Sequence, residues 1–370
     1  AIHPGYGFLS ENSKFAQACE YNGIIFIGPK VSVLKSLGDK VTAKEVAVKN
    51  NVPIIQSNKK ELTHVDIALE EAKEIGYPVM LKAASGGGGR GMRVIRTEDE
   101  LRKAFPESKR EAGNAFGDDT VFMEKFLTSP RHVEVQLLGD GQGNVVYVGE
   151  RDCTIQRRKQ KLIEECPCPV LTDAQRKDIG ERAVALAKLV NYKSLGTAEF
   201  LYEGGQFYFM EVNTRVQVEH PVTEEVFGID LIKEQIKVAR GEKLSVSQSD
   251  LKPDGHSMEV RINAECPDSF APWPGLVTSY HEAGGPGVRI DSMIYDGYTV
   301  PATYDSMLAK LIVRAPSRKE SIIRMKRALS EMIVGGIRTN IPFYQKLLND
   351  ENFNESDVTI SYLEDVYLKK

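Results

Sequence analysis

The spacing of apolar positions changes period several times along the chain. A helical spacing over 10–21, with Ser10 or Ser13 as N-cap and Gly23 just beyond the end, predicts a helix. The apolar run 24–27, closed by Gly28-Pro29, predicts a short buried strand, so the two elements read as the tail of an α/β layer. A polar-rich helical stretch over 31–50 stops before Pro53 and reads as a linker. From 54 to 126 the pattern is that of a compact α+β unit. It has an amphipathic helix over 62–75 stopped by Gly76, strands at 77–83 and 92–96, a helix over 98–115 and a closing strand at 120–125. Beyond it, 126–370 reads as one large mixed region with strands at 132–138, 145–151, 197–202, 206–212 and 259–264. Thr172 with Gln175 forms a capping box for a helix running to Val190, and Ser317 with Glu320 forms another for a helix ended by Gly335-Gly336. The stretch 291–313, rich in Tyr, Gly and Pro, predicts short strands and turns.

Composition narrows this picture in a few places. Hydrophobic residues at 41% and charged residues at 27% exclude a disordered chain. Lys and Arg number 48 against 52 Asp and Glu, a balance that offers no footprint for nucleic acid or an anionic membrane. No apolar run approaches the ~20 residues of a membrane span. Five scattered cysteines do not make a disulfide scaffold, and Cys166-Pro167-Cys168 alone is weak support for a metal or redox site. A reducing, cytoplasmic compartment fits them best. The first residue is Ala1 rather than Met and the chain opens abruptly on AIHPGYGFLSEN, so an absent N-terminal part is expected.

Chemistry concentrates in four places. Lys82 leads into Gly86-Gly87-Gly88-Gly89-Arg90-Gly91, flanked by strands on both sides and lacking the Gly-Lys-Ser/Thr of a Walker loop. It reads as a hairpin flap whose backbone N–H groups can approach phosphate oxygens, with a flexible surface hairpin as the bland alternative. Glu211, Asn213, Arg215, Gln217 and Glu219 occupy every second position, so an extended segment would place all five on one face. Glu199 and Glu211 flank the hairpin signal Gly204-Gly205, and two converging carboxylates suit Mg²⁺. A regular two-residue turn, however, would set Glu199 against Met210; convergence needs an odd loop or a bulge. Finally, 156–161 is a basic cluster, either an anion site or a solvated face balanced by Glu164 and Glu165. His132, His220 and His256 read first as hydrogen-bonded structural residues.

The stretches HPGYGFLSEN, KAASGGGGRGMR, MEKFLTSPRHVEVQ, ERDCTIQRRKQK, FMEVNTRVQVEHPVTE and MEVRINAE resemble the biotin carboxylase family of ATP-grasp enzymes, from His3 to about Leu363. The resemblance implies an α+β chain with an ATP-grasp fold, preceded by the tail of a Rossmann-like α/β domain and followed by a biotin carboxylase C-terminal domain. It divides the chain into 1–29, the end of the N-terminal domain; 30–53, a helical linker; 54–126, a lid carrying the glycine loop; 127–255, a catalytic subdomain; and 256–370, the C-terminal domain. The implied reaction is carboxylation of biotin by bicarbonate and MgATP through carboxyphosphate. Other ATP-grasp ligases, such as a carbamoyl-phosphate synthetase or a purine-pathway carboxylase, and an inactive nucleotide-binding relative are the rival readings.

Carried over residue by residue, the resemblance gives Lys40 and Lys82 to the ATP phosphates, with Gly87, Gly88 and Gly89 in the flap. Glu124, Lys125 and Leu127 match the adenine hinge, and His132 and Gln156 match ribose and nucleotide contacts. Glu199, Glu211 and Asn213 match ligands of Mg²⁺ or Mn²⁺, two ions in all. Glu219 matches the base that takes the bicarbonate proton. Arg215, Gln217, Val218 and Lys161 would hold bicarbonate, and Arg261 would face the biotin ureido oxygen. Lys159 stands where many members have His, and Cys166 and Cys168 depart from the usual small residues. No biotin-acceptor Met-Lys-Met occurs. The implied partners are therefore a biotin carboxyl carrier protein or domain and a carboxyltransferase subunit, with a homodimer by analogy.

Overall fold

Local capping and pairing decide where the elements begin and end. The structure, a computed structural model, describes residues 1–38, 40–50, 52–83 and 92–369, without the side chains of 40–42 and 115–116. They fall into two compact units: Pro53–Pro130, and Ala1–Val52 together with Arg131–Lys370.

Helix α1 (Ser13–Tyr21) is capped by Asn12, whose side chain accepts from Phe15 N at 2.9 Å. Ser10 is not the cap; its hydroxyl donates back to the Gly7 carbonyl at 2.6 Å. Gly23 follows the helix at φ +66°, as its position predicts. The strand expected at 24–27 does not form: a single parallel bridge joins Ile2 and Phe26, and Ile24 and Ile25 are exposed. Ile2 exchanges backbone bonds with Ile25 and Ile27, Ile24 N donates to the Cys19 carbonyl, and one bridge is not a ladder. The stretch 31–50 is two helices, α2 (Val31–Gly38) and α3 (Lys40–Lys49).

In Pro53–Pro130, α4 (Val65–Ile75) starts later than the apolar spacing suggests, after His64, which makes no side-chain cap bond. Strands β1 (Val79–Ala83) and β2 (Met92–Ile95), helix α5 (Glu98–Phe116) and strand β3 (Val121–Lys125) follow. The sheet order is β2-β1-β3, all antiparallel. Leu69, Leu81, Leu101, Phe105 and Met123 belong to its core. Thr97 caps α5 by accepting from Glu100 N, and Gly117 at φ +72° ends it.

The larger unit continues with β4 (Arg131–Asp140), β5 (Val145–Arg157), β6 (Gln160–Cys166), α6 (Asp173–Leu189), β7 (Lys193–Glu203), β8 (Gln206–Asn213), α7 (His220–Phe227), α8 (Leu231–Ala239) and β9 (His256–Asn263). Two small pairs follow: β10 (Gly275–Leu276) and β11 (Ser279–His281) find their partners later in the chain. Then come β12 (Val288–Ser292), β13 (Thr299–Val300), β14 (Met307–Ala315), α9 (Arg318–Glu331) and β15 (Ile333–Gly335). An eight-stranded sheet runs β12-β14-β9-β6-β5-β4-β7-β8, with every neighbour antiparallel. The Thr172–Gln175 capping box is complete.

Three elements differ from expectation. The basic cluster 156–161 is a hairpin: Gln156 pairs with Lys161, Arg157 with Gln160, and Arg158-Lys159 turn at φ +48° and +66°. Strand β14 replaces turns because Leu308 to Val313 is buried throughout, which erases the alternation of a half-exposed strand. Helix α9 ends at Met332 rather than at Gly335-Gly336, because β15 pairs with β11. Among the described residues, no helix is long and apolar enough to cross a membrane.

Candidate active site

The turn at Gly204-Gly205, at φ +59° and +82°, is the two-residue kind whose twist suits a hairpin. Pairing from it is regular through Glu203–Gln206, Tyr202–Phe207, Leu201–Tyr208 and Phe200–Phe209. The register then shifts at Met210 and resumes with Glu199 opposite Glu211. That bulge is the device the parity argument required; one extra residue brings Glu211 to the face of Glu199.

Strand β8 stops at Asn213, so 214–219 is not the regular strand its alternation suggests. Glu11 accounts for the departure. Its carboxylate accepts from Thr214 N and Oγ1 at 2.7 and 3.0 Å and from Arg215 Nε at 3.1 Å, in place of ladder partners. The alternation still sorts the side chains. Val212, Thr214 and Val216 are buried, while Glu211, Asn213, Arg215, Gln217 and Glu219 all line one cavity of about 590 Å³. His132, Gln156, Lys161, Glu199, Val218 and Arg261 line it too.

Charge in the cavity is arranged as a chain. Lys161 Nζ reaches Glu134 Oε2 at 2.5 Å, Glu219 Oε1 at 2.7 Å and Glu199 Oε1 at 3.1 Å. The other Glu219 oxygen accepts from Arg261 Nη2 at 2.9 Å. Burial opposes charge on Glu219, but Lys161, Arg261 and Arg151 outweigh it and hold this carboxyl well below the usual range. Burial likewise opposes charge on Glu199, and Lys161 and His132 overcome it and hold that carboxyl down. Burial also works against the Lys161 ammonium, yet Glu134 and Glu219 keep it charged. Behind this row, Arg151 is fully buried and donates to Glu134 (2.5 Å), Gln136 (2.7 Å) and Thr223 (2.9 Å).

The sequence alone does not single out Glu134, Arg151 and Glu11. The signal it offers is the alternation His132-Val133-Glu134-Val135-Gln136, an ionisable group inside a β-period that turns out buried on both faces. His220 and His256 are structural, as expected. His220 Nδ1 sits 2.8 Å from the Gln217 carbonyl, and burial with Lys310 nearby pushes its pKa down to about 3. His256 Nε2 lies 2.9 Å from Glu165. Cys166 and Cys168 are buried thiols pushed up by burial, and Cys168 Sγ donates to Asp152 at 3.2 Å; they pack rather than react.

The other nucleotide candidates lie in Pro53–Pro130 or outside the description. Lys82 on β1 pairs with Glu124 on β3. Lys125 Nζ donates to the carbonyls of Gly76 and Tyr77 at 2.9 and 3.0 Å, and Leu127 is buried. The loop with Gly87, Gly88 and Gly89, and the Lys40 side chain, lie outside the described residues.

The acidic groups fit a hard divalent cation. Glu199 and Glu211 face each other across the bulge, with Asn213 two residues on, an all-oxygen donor set of the kind Mg²⁺ takes. His132, Glu134 and Glu199 also converge, with ligand atoms within 4.8 Å of one another, but Glu134 is already gripped by Arg151 and Lys161.

Three family descriptions match the chain: "Biotin carboxylase, N-terminal domain" over 1–34, "Carbamoyl-phosphate synthase L chain, ATP binding domain" over 39–247, and "Biotin carboxylase C-terminal domain" over 259–365. The biotin carboxylase of Haemophilus influenzae is 53% identical over 366 residues, covering 98% of this chain and 82% of that protein. The biotin carboxylase of Pseudomonas aeruginosa is 50% identical over 365 residues, covering 98% and 81%. Among solved structures, the bicarbonate-bound biotin carboxylase domain of a thermophilic 2-oxoglutarate carboxylase superposes with a TM-score of 0.94 at 44% identity, covering 98% of this chain and 81% of that one. The Campylobacter jejuni biotin carboxylase complex with a β,γ-ATP ligand superposes with a TM-score of 0.89 at 48% identity and the same coverage.

Proposed function

The chain belongs to the biotin carboxylase family of ATP-dependent ligases, and from that premise we propose how its residues carry out the ATP-dependent carboxylation of biotin. The ATP-binding description is shared with carbamoyl-phosphate synthases, but the two flanking matches and the relatives are biotin carboxylases, which sets that rival reading aside.

Bicarbonate is a poor nucleophile until it loses its proton. Glu219 is the base: it is buried, held ionised by Lys161 and Arg261, and lines the cavity. Arg215, Gln217, the Val218 backbone and Lys161 hold the anion, and Arg215 is itself braced by Gln217 Oε1 at 3.0 Å and by Glu11. The deprotonated oxygen attacks the γ-phosphorus, ADP leaves, and the carboxyphosphate formed breaks down to CO₂ and phosphate beside biotin. The phosphate released takes the proton from the biotin ring nitrogen, and the nitrogen then bonds to CO₂. Arg261 steadies the charge on the ureido oxygen.

Lys40 and Lys82 are assigned to the ATP phosphates, Gly87, Gly88 and Gly89 to a flap that keeps out water, Glu124, Lys125 and Leu127 to the adenine, and His132 and Gln156 to the ribose side. Glu199, Glu211 and Asn213 would hold Mg²⁺ or Mn²⁺, two ions, which when bound neutralise charge on the phosphate oxygens. The division into 1–29, 30–53, 54–126, 127–255 and 256–370 belongs to the same proposal. So do a biotin carboxyl carrier, a carboxyltransferase partner and a homodimer. The biotin carboxylase domain of the Hydrogenobacter thermophilus 2-oxoglutarate carboxylase is described as a dimer. A cytoplasmic location is supported by five cysteines that are all buried free thiols.

The observation that carries this reading is one carboxylate, Glu219, gripped at one oxygen by Lys161 and at the other by Arg261 within a single cavity. Bicarbonate-dependent ADP release tests it: free biotin should stimulate release and ammonia should not. Stimulation by ammonia alone would overturn the reading.

A further inference from the structure

Behind Arg261 lie two carboxyl groups that the mechanism above does not use. Glu164 on β6 and Glu259 on β9 are directly opposite each other in the sheet, and neither is exposed to solvent. One oxygen of Glu164, Oε1, accepts from Arg261 Nε at 2.7 Å and lies 2.6 Å from Nη2. Among the described residues its other oxygen has no partner, and neither does either oxygen of Glu259. Three buried carboxyl oxygens without a donor, gathered at one pair of opposed residues, call for a physical explanation.

A single proton resolves this conflict. Carboxylates directly opposed in a sheet repel, and in a low-dielectric interior both cannot be ionised. Arg261 decides which stays charged, because it binds Glu164 and not Glu259. Protonated, Glu259 would offer a donor, and the unpartnered oxygen of Glu164, its cross-strand neighbour, would offer an acceptor. The groups facing the pair agree. Lys310, opposite Arg261 on β14, spends its ammonium on the Val218 carbonyl at 2.8 Å and stands 3.4 Å from Asp291, bonding neither glutamate. Glu219 adds further negative charge, and burial raises both carboxyls above their ordinary range.

We propose that Glu164 and Glu259 form a carboxyl pair sharing one proton, and that this pair positions Arg261. The inference rests on the roles assigned above to Glu219 and Arg261. Arg261 Nη2 bridges Glu219 and Glu164. When Glu219 takes up the bicarbonate proton it becomes neutral, and half of the hold on Arg261 weakens. Glu164 keeps the other half, so the guanidinium stays in place for the ureido oxygen. The Glu259 proton lets Glu164 remain charged without a second buried anion beside it. Both are positioning residues; neither touches substrate.

Infrared spectroscopy of the whole protein at neutral pH tests the proton directly. A protonated buried carboxyl band should be present, vanish in Glu259→Gln, and shift in Glu164→Gln because its acceptor has changed. Absence of the band, or its persistence in Glu259→Gln, overturns the proposal. This readout does not depend on catalysis, so it stands or falls separately from the assignment of Glu219. Kinetics supply the second arm. Glu164→Gln should lower biotin-dependent kcat by on the order of 10²-fold, the scale of a misplaced catalytic group, while biotin-independent ATP cleavage falls much less. Glu259→Leu should lower the same kcat about tenfold, and Glu259→Gln, which keeps a neutral donor, should recover most of that loss. Equal losses in both activities for all three variants would mean that the pair only supports folding.

Discussion

In Pro53–Pro130, strand β1 buries Val79, Leu81 and Ala83 and leaves the residues between them partly open, while several ion pairs of this unit stand in water. Lys59 and Glu74 pair at 71% and 51% exposure, and Arg93 reaches Glu107 and Glu111, both half exposed. In the larger unit, every residue of β4 is buried, and Arg131, His132, Glu134, Gln136 and Asp140 are among them. The first pattern is a sheet with a core and a wet edge. The second removes charge from water and must then satisfy it completely, which is costly for a fold and useful for chemistry. Where charge is buried and paired, a substitution should cost function or stability; where it is exposed and paired, it should cost almost nothing.

The largest effect is expected at Glu219. Glu219→Gln preserves shape and removes the proton acceptor, so bicarbonate-dependent ATP cleavage should fall by ~10²–10⁴-fold while ATP still binds. Arg261→Ala should instead impair mainly the biotin-dependent step. Steady-state ADP release with and without biotin separates the two, and equal losses of both activities in the two variants would void the division of roles.

Next comes Arg151, which holds Glu134 from behind the cavity. Arg151→Met leaves a fully buried carboxylate with Lys161 as its remaining cation and should cost about 3–5 kcal/mol in urea unfolding, provided unfolding is two-state. A loss no larger than that of a surface charge would break the contrast between the two units.

Glu165 gives a pH-dependent version of the same contrast. It is buried and opposed by desolvation, but Arg318 at 2.6 Å and His256 at 2.9 Å hold its carboxyl well below the ordinary value. A depressed carboxyl contributes stability above its unfolded pKa and loses it as pH falls toward the folded one. Glu165→Gln should therefore cost on the order of 2 kcal/mol near pH 7, and the gap from the parent should close below about pH 4. A gap that widens on acidification would reverse the sign.

The same contrast governs what can be read from the chain. Elements bounded by local signals are legible: the start of α6 at Thr172 with Gln175, and the stop of α4 at Gly76, follow from capping and turn chemistry. Strand β6 is not, because a turn at Arg158-Lys159 requires positive φ from residues that rarely adopt it. Strand β14 is hidden by burial on both faces. In the site, the alternation from Glu211 to Glu219 shows which side chains share a cavity but not why the strand ends at Asn213. That depends on Glu11, some two hundred residues away, and no local pattern carries a long-range partner. The bulge at Met210 follows as a requirement, since Gly204-Gly205 and the two carboxylates cannot otherwise agree; its position comes only with the fold.

The smallest effect closes the comparison. Lys59 and Glu74 are in close contact, and each group raises the other's preference for charge. Yet both side chains stand in water, where the dielectric and salt screen the attraction and ordering two long side chains offsets what remains. Geometry alone would rank this pair beside Lys161–Glu219; burial ranks them at opposite ends. Lys59→Ala should leave the midpoint of thermal unfolding indistinguishable from that of the parent protein at physiological salt, with at most a small drop at low ionic strength. A loss approaching that of Arg151→Met would show that distance, rather than exclusion of water, decides what an ion pair contributes here.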